Sequence, residues 1–484
     1  MKRKIFILIN MFFLVSGVFA EKTPVKNLFI YKLNNGLDLY VAENHTVPLV
    51  YIEIAVKTGG ISQTPENAGL FHLYEHMLFK GNKKYSSSEA MNDEMAALGV
   101  SSHNGGTSDE CVNYYFTVPS NKLEEGLKFW SYAIRDPNLD KRELESEKKV
   151  VLSEILGRAS MPQSIQYRAL LMNLFPENPW KGDPGGNPTV VENATVSQLK
   201  KIQNTYYIPN NSALFVGGDV DPDEVYKLVN KIYGSWKKGS DPWKKDNNQY
   251  NTNPLSKDVF YVFANEQMSN EMASINISYR GPDAEYNEND TYPADLLFTC
   301  VTNPSSYYIQ SLVNNPNLSI PDNRYTSIYY QTKRKLGVIG AYANILQPTQ
   351  YITERVQVFA DQIPLLLEKT VENVDDEYLA QVETVKKRMI NQDLYSQETA
   401  ENLLSQVQYW WIHDTVDYYF TYSENVSNSS NEDIKKFLNT YIIDKPRMIV
   451  LVVSPDVLNE KKDELEKAGY QILTNENTNF YEKK

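Results

Sequence analysis

This chain of 484 residues is predicted to fold as two homologous α+β domains, each a mainly antiparallel sheet packed with helices. Three observations carry that expectation. The chain is too long for one ordinary core. Its two halves repeat one grammar: "VYIEIAVKTGG" (Val50–Gly60) parallels "MASINISYRGPD" (Met272–Asp283), and "ALFVGGDVDPDEVYKLVNKIYG" (Ala213–Gly234) parallels "RMIVLVVSPDVLNEKKDELEKAGY" (Arg447–Tyr470). In the second pair each strand runs through an Asp-Pro or Pro-Asp step into a helix. Between the halves, residues 236–257 are polar, rich in Asn, Gly and Pro, and without periodicity, as a linker is. The expected domains are therefore 21–235 and 258–484.

Residues 1–20 stand apart. Met1-Lys2-Arg3-Lys4 is basic, "IFILINMFFLV" is apolar, and Val18 and Ala20 are small residues before Glu21. The pattern predicts a signal peptide cleaved after Ala20, and its apolar run is shorter than the ~20 residues of a spanning helix. The mature chain is expected to be exported, periplasmic or secreted, with no stable membrane anchor.

Leu28–Asn44 reads as a hairpin whose Asn35-Gly36 step signals a type I′ turn. Val50, Ile52, Ile54 and Val56 alternate as a third strand. Thr64-Pro65 marks the start of a helix that carries residues 69–81. Leu123, Leu127, Trp130 and Ile134 share one helical face. A charged helix follows over about 139–156, with Val150, Val151, Ile155 and Leu156 expected on its buried side. "WKGDPGGNP" (Trp180–Pro188) reads as a surface loop. His413, alone among aromatics in "QYWWIHD", reads as a packing residue.

The net charge is −13 and no lysine or arginine block occurs, which argues against nucleic acid or an anionic membrane as partner. Cys111 and Cys300 are the only cysteines and lie in apolar surroundings, so buried free thiols are expected.

Two of the five histidines fall within "HLYEH", as His72 and His76. On a helix, residues four apart share a face, and Glu75 lies within about 60–100° of both. Two neutral imidazoles so placed can hold one Zn²⁺ while the carboxylate reaches over it. A catalytic zinc takes a third protein ligand and keeps a position for water, whose proton a nearby carboxylate accepts. The best donors for that third ligand are Glu147 and Glu154, seven apart in "ELESEKKVVLSEILG".

"HLYEH" matches the inverted zinc motif H-x-x-E-H, and the chain resembles the pitrilysin/insulinase-type metallopeptidases over nearly its whole mature length. Members carry a downstream E-x6-E helix. Here that pair is Glu147 and Glu154, 71 and 78 residues beyond His76. "YYIPNNSALFVGGDVDP" (Tyr206–Pro222) resembles the end of the family's first domain. The resemblance implies a peptidase with zinc on His72, His76 and Glu154. Glu75 would be the general base, and Glu147 a catalytic carboxylate orienting a ligand histidine. "HNGGTSDECVNYYFTVP" (His103–Pro119) resembles the family's substrate-pairing edge strand. It implies substrate-binding roles for Asn104 and Thr107, although Gly105 stands where Ala is usual.

One departure bears on function. The family's second domain often supplies an arginine and, seven residues on, a tyrosine to the active site. The aligned stretch here, "LVNNPNLSI" (Leu312–Ile320), has Val313 and Ile320 at those places, while the nearby Arg324 and Tyr325 have the wrong spacing. Half-length relatives build a closed chamber from two chains. The resemblance thus implies peptide substrates and a homodimer or heterodimer, with this chain as the zinc-bearing subunit. The alternative is a non-catalytic scaffold or assembly subunit of the same fold.

Overall fold

A computed structural model describes residues 23–244, 251–372 and 376–481. Each half is built on a six-stranded mixed sheet. The first holds β1 (Leu28–Lys32), β2 (Asp38–Glu43), β3 (Leu49–Lys57), β4 (His103–Thr107), β5 (Cys111–Pro119) and β6 (Ser212–Gly218), in the order β1-β2-β6-β3-β5-β4. The second holds β7 (Val259–Ala264), β8 (Met272–Arg280), β9 (Thr326–Gln331), β10 (Val338–Leu346), β11 (Met448–Val453) and β12 (Gln471–Ile472), in the order β12-β7-β11-β8-β10-β9. Five strands correspond, with the same pairing sense: β2 with β6 and β7 with β11 are parallel, and the other pairings among them antiparallel. The outermost strand differs. In the first sheet it is the hairpin partner β1, and in the second it is the short parallel β12.

The halves exchange helices across their sheets. Helix Ala400–His413 of the second half packs on β2, β3 and β6, while helix Pro162–Leu174 of the first packs on β8 and β11. Both faces of β3 are consequently dry. Val50, Ile52, Ile54 and Val56 pack beneath the helices of their own half, and Tyr51 and Ala55 join the core that reaches into the second half. A sheet covered on both sides buries nearly every residue of this strand.

Several local expectations change. The hairpin does not close with a type I′ turn. Gly36 N–H bonds Leu33 O, and only Gly36 has positive φ, so the loop is a type I turn ending in a left-handed glycine. The motif helix is Leu70–Leu78, capped by Gly69 at φ 93°, and does not begin at Pro65. Residues 64–69 form turns because the Gln63 carboxamide accepts from Gly69 N–H at 2.5 Å and holds the chain off the helical path. Trp180–Pro188 is more than a surface loop. Gly182, Gly185 and Gly186 are buried, and a Cβ on Gly186 would lie 2.0 Å from Gly69 N. Two glycines therefore let this loop seat the start of the motif helix.

The charged helix spans Lys141–Ala159, with Asp140 as its cap. Val151 and Ile155 are buried as expected, but Val150 and Leu156 are 44% and 64% exposed. The helix is turned so that Glu147, Val151 and Glu154 face the motif helix, which rotates Val150 and Leu156 outward. Cys111 and Cys300 are free and buried. In the described parts of 236–257, Gly239 is bonded to Asn210, and Trp243 Nε1 donates to Asn211 Oδ1 at 2.8 Å. Residues 1–20 lie outside the described residues, among which no helix is long and apolar enough to cross a membrane.

Candidate active site

The motif helix, the charged helix and edge strand β4 meet at one cleft. It is lined by His72, Glu75, His76, Phe79, Lys80, residues 103–107, Glu147, Glu154 and Arg158. The α-helical spacing puts His72 and His76 side by side, with their Nε2 atoms 3.1 Å apart. Glu154 Oε2 stands 3.5 Å from His72 Nε2 and 3.7 Å from His76 Nε2. Ligands of a tetrahedral zinc, with bonds of about 2.0–2.2 Å, stand about 3.3–3.5 Å from one another. The three separations, 3.1, 3.5 and 3.7 Å, bracket that spacing. His72, Glu75 and His76 also present ligand atoms all within 4.8 Å of one another. Glu75 Oε2 is nevertheless the more distant carboxylate, 3.9 Å from His72 Nε2, and it is occupied by the Thr107 hydroxyl, which donates to it at 3.3 Å. The separations therefore favour Glu154 over Glu75 as the third ligand.

Protonation suits a cation. Burial, with His76 and Arg158 nearby, pushes His72 down to about 3, so its ring is neutral. Burial also lowers His76, but the Glu147 hydrogen bond and the charges of Glu75, Glu154 and Glu147 outweigh it and leave that ring raised. Glu147 Oε1 lies 2.8 Å from His76 Nδ1. A proton on Nδ1, donated to that carboxylate, leaves the Nε2 lone pair of the neutral ring pointing into the cleft. Burial opposes the charge on Glu147, yet His76 and Lys80 hold its carboxyl below the usual range. Glu75 is raised, chiefly by burial and against the pull of His76 and Thr107, as suits a proton acceptor.

The residues expected at the site are thus brought together, with one change of emphasis. Thr107 holds Glu75, while Asn104, exposed on β4, accepts from the N–H of Gly105 at 3.0 Å. Among the described residues β4 pairs only with β5, which leaves its outer backbone edge without a described partner strand. Gly105 has a local reason: a Cβ there would lie 2.9 Å from Phe79 Cε2 and 3.0 Å from Glu75 Oε1. Lys80 was missed by sequence reasoning, though its position four beyond His76 was a signal. Arg158, four beyond Glu154, was missed in the same way. Ile320 belongs to the second half's core and the partly buried Val313 packs against it, while Arg324 is exposed and paired with Asp322 at 2.7 Å.

Comparison with known proteins identifies the family. The profile "Insulinase (Peptidase family M16)" matches residues 39–184, and "Peptidase M16 inactive domain" matches 193–382. The chain belongs to the M16, pitrilysin/insulinase-type, metallopeptidase family. It is 22% identical over 360 residues to an uncharacterized zinc protease of Rickettsia bellii, covering 74% of this chain and 82% of that protein. It is 27% identical over 208 residues to the zinc protease PqqE of Helicobacter pylori, covering 42% of this chain and 46% of PqqE. The matched stretch therefore spans less than half of PqqE. In fold it resembles the first half of the periplasmic protease PqqL from Escherichia coli, with TM-score 0.73, 16% identity, and coverage of 93% of this chain and 97% of that one.

Proposed function

We propose that this chain is an exported zinc endopeptidase that hydrolyses peptides or unfolded segments, and that it is the zinc-bearing subunit of a two-subunit enzyme. One observation carries the reading: His72 Nε2, His76 Nε2 and Glu154 Oε2 converge at the spacing of zinc ligands beneath an open strand edge. Relatives described as zinc proteases support the metal. Residues 1–20, and the periplasmic placement in PqqL's description, support export.

Bound by these three side chains, zinc would supply Lewis-acid polarisation and an acidified water. Glu75 accepts the water's proton and returns it to the leaving amine, with Thr107 fixing its carboxylate. Glu147 keeps His76 in the tautomer whose Nε2 can ligate. The free edge of β4 offers alternating N–H and C=O groups to an extended peptide, which gives main-chain recognition with little demand on sequence. Val313 and Ile320 offer no side-chain donor, so a related second chain is expected to provide one. The test is metal analysis of the purified chain together with hydrolysis of a mixed peptide library. Stoichiometric zinc with metal-dependent cleavage supports the reading; no zinc and no cleavage, alone or with related chains, would leave a scaffold subunit.

A further inference from the structure

The turn joining β4 to β5 is tied to the other half of the molecule. Within its own half the turn needs no glutamate. Ser108 N–H bonds Cys111 O at 2.8 Å, and Ser108 Oγ accepts from Cys111 N at 3.0 Å and Glu110 N at 3.3 Å. Gly60 N–H and Ile61 N–H bond the carbonyls of Ser108 and Asp109 at 3.1 and 2.6 Å. Glu110 is nevertheless 1% exposed, and burying a carboxyl group is costly unless it is well bonded. Its bonds run across the interface. Oε2 accepts from Arg334 N at 3.1 Å, and Oε1 from Lys335 N at 3.0 Å, both in the turn between β9 and β10. Asp109 pairs with Lys333 of the same turn. Helix Ala400–His413 holds that turn from the other side. The Tyr409 hydroxyl donates to Thr332 O at 2.6 Å, and His413, stacked on Tyr409, places Nε2 3.4 Å from Glu110 Oε2.

Thr107 is three residues from Glu110, at the end of a five-residue strand with one neighbour. An edge strand so short is readily displaced, and misplacement of catalytic groups by about 1 Å can cost ~10²-fold in rate. We infer that Glu110 is a positioning residue: it clamps the β4–β5 turn to the second half and thereby holds β4, and Thr107 with it, against Glu75. The second half thus sets the geometry of the first half's active strand. The catalytic part of this inference rests on the proposed role of Glu75.

The test compares the full zinc-loaded chain with Glu110→Gln, Glu110→Leu, Thr107→Val and the Glu110→Leu/Thr107→Val double variant. Leucine removes both acceptors; glutamine keeps one. Amide exchange by mass spectrometry over 101–110 should be ~10-fold faster in Glu110→Leu and intermediate in Glu110→Gln, with zinc content and exchange in β3 unchanged. Turnover of an extended peptide should fall in the same order, about 10-fold for leucine, and the double variant should be no slower than Glu110→Leu alone. Unchanged exchange in β4, or a double variant whose losses multiply, overturns the inference. If the leucine variant does not fold, the glutamine variant gives the same comparison. If the parent cleaves nothing, the proposed function fails, while the exchange measurement still decides whether Glu110 holds β4.

Discussion

Glu147 joins the motif helix to the bend that follows it: its Oε1 lies 2.8 Å from His76 Nδ1, and its Oε2 lies 2.6 Å from Lys80 Nζ. A carboxylate held this way orients a ligand imidazole without touching the metal. Glu147→Ala should therefore weaken zinc affinity by about 10–100-fold, the range for loss of such a partner. Lys80→Met, which leaves the His76 bond in place, should weaken it less. Competition with a chelator of known affinity measures both; a larger loss for Lys80→Met would contradict the arrangement.

Glu154→Ala should remove most of the zinc, since it deletes an anionic ligand and leaves only two imidazoles. Metal analysis after dialysis reads this directly. Full zinc in Glu154→Ala, with zinc lost in Glu147→Ala, would reverse the two glutamates.

Glu75→Gln should keep the metal and lose hydrolysis by at least about 10²-fold, because an amide cannot accept the water's proton. The pair of measurements is zinc content and cleavage of the best library peptide. A glutamine variant as active as the parent would remove Glu75 from the chemistry.

Stability near neutral pH should carry the signature of Glu110. Burial first, and then Asp109, push its carboxyl up to about 8 despite the Arg334 and Lys335 amides and the Lys333 charge. Unfolded, it loses its proton near about 4.3. Between those values the folded state holds the extra proton, so this contribution to stability falls as pH rises and is gone above about 8. His413 faces the same oxygen, but burial pushes it down to about 4, so it is neutral in the folded state throughout this range, and its unfolded titration near about 6.5 is common to the parent and the Glu110 variant. From pH 6.5 to 8 the melting temperature of the parent should fall more than that of Glu110→Gln. Parallel curves would show that Glu110 is already ionised there.

The isolated chain should bind zinc yet cleave slowly, and should gain activity from a related chain that carries the arginine–tyrosine pair. A fixed donor opposite the metal is worth roughly 10²–10³ in rate. Ile320 packs in the second half's core and Val313 against it, and neither supplies such a donor. Mutating the partner's arginine should cancel the gain. Full activity in a homodimer would show that this chain completes its own site.

Sequence by itself determined whatever depends on neighbours within a turn or a strand. His72 and His76 share a face because a helix repeats every 3.6 residues, and β3 was readable from residues 50–56 because side chains alternate on a strand. The repeated strand-to-helix steps likewise disclosed two related halves. The E-x6-E spacing placed Glu147 and Glu154 together, but the choice between them came only from resemblance. Tertiary structure decided what depends on surfaces far apart in the chain. It set Glu154 between both rings, and Glu147 on the back of one of them, through the packing of two helices more than 70 residues apart. It turned Val150 and Leu156 outward so that carboxylates could face the metal cleft. It seated the start of the motif helix at Gly69 against Gly186, and it carried Glu110 to amides 224 and 225 residues away. No local period encodes such contacts. They follow from how two sheets and their exchanged helices exclude water together.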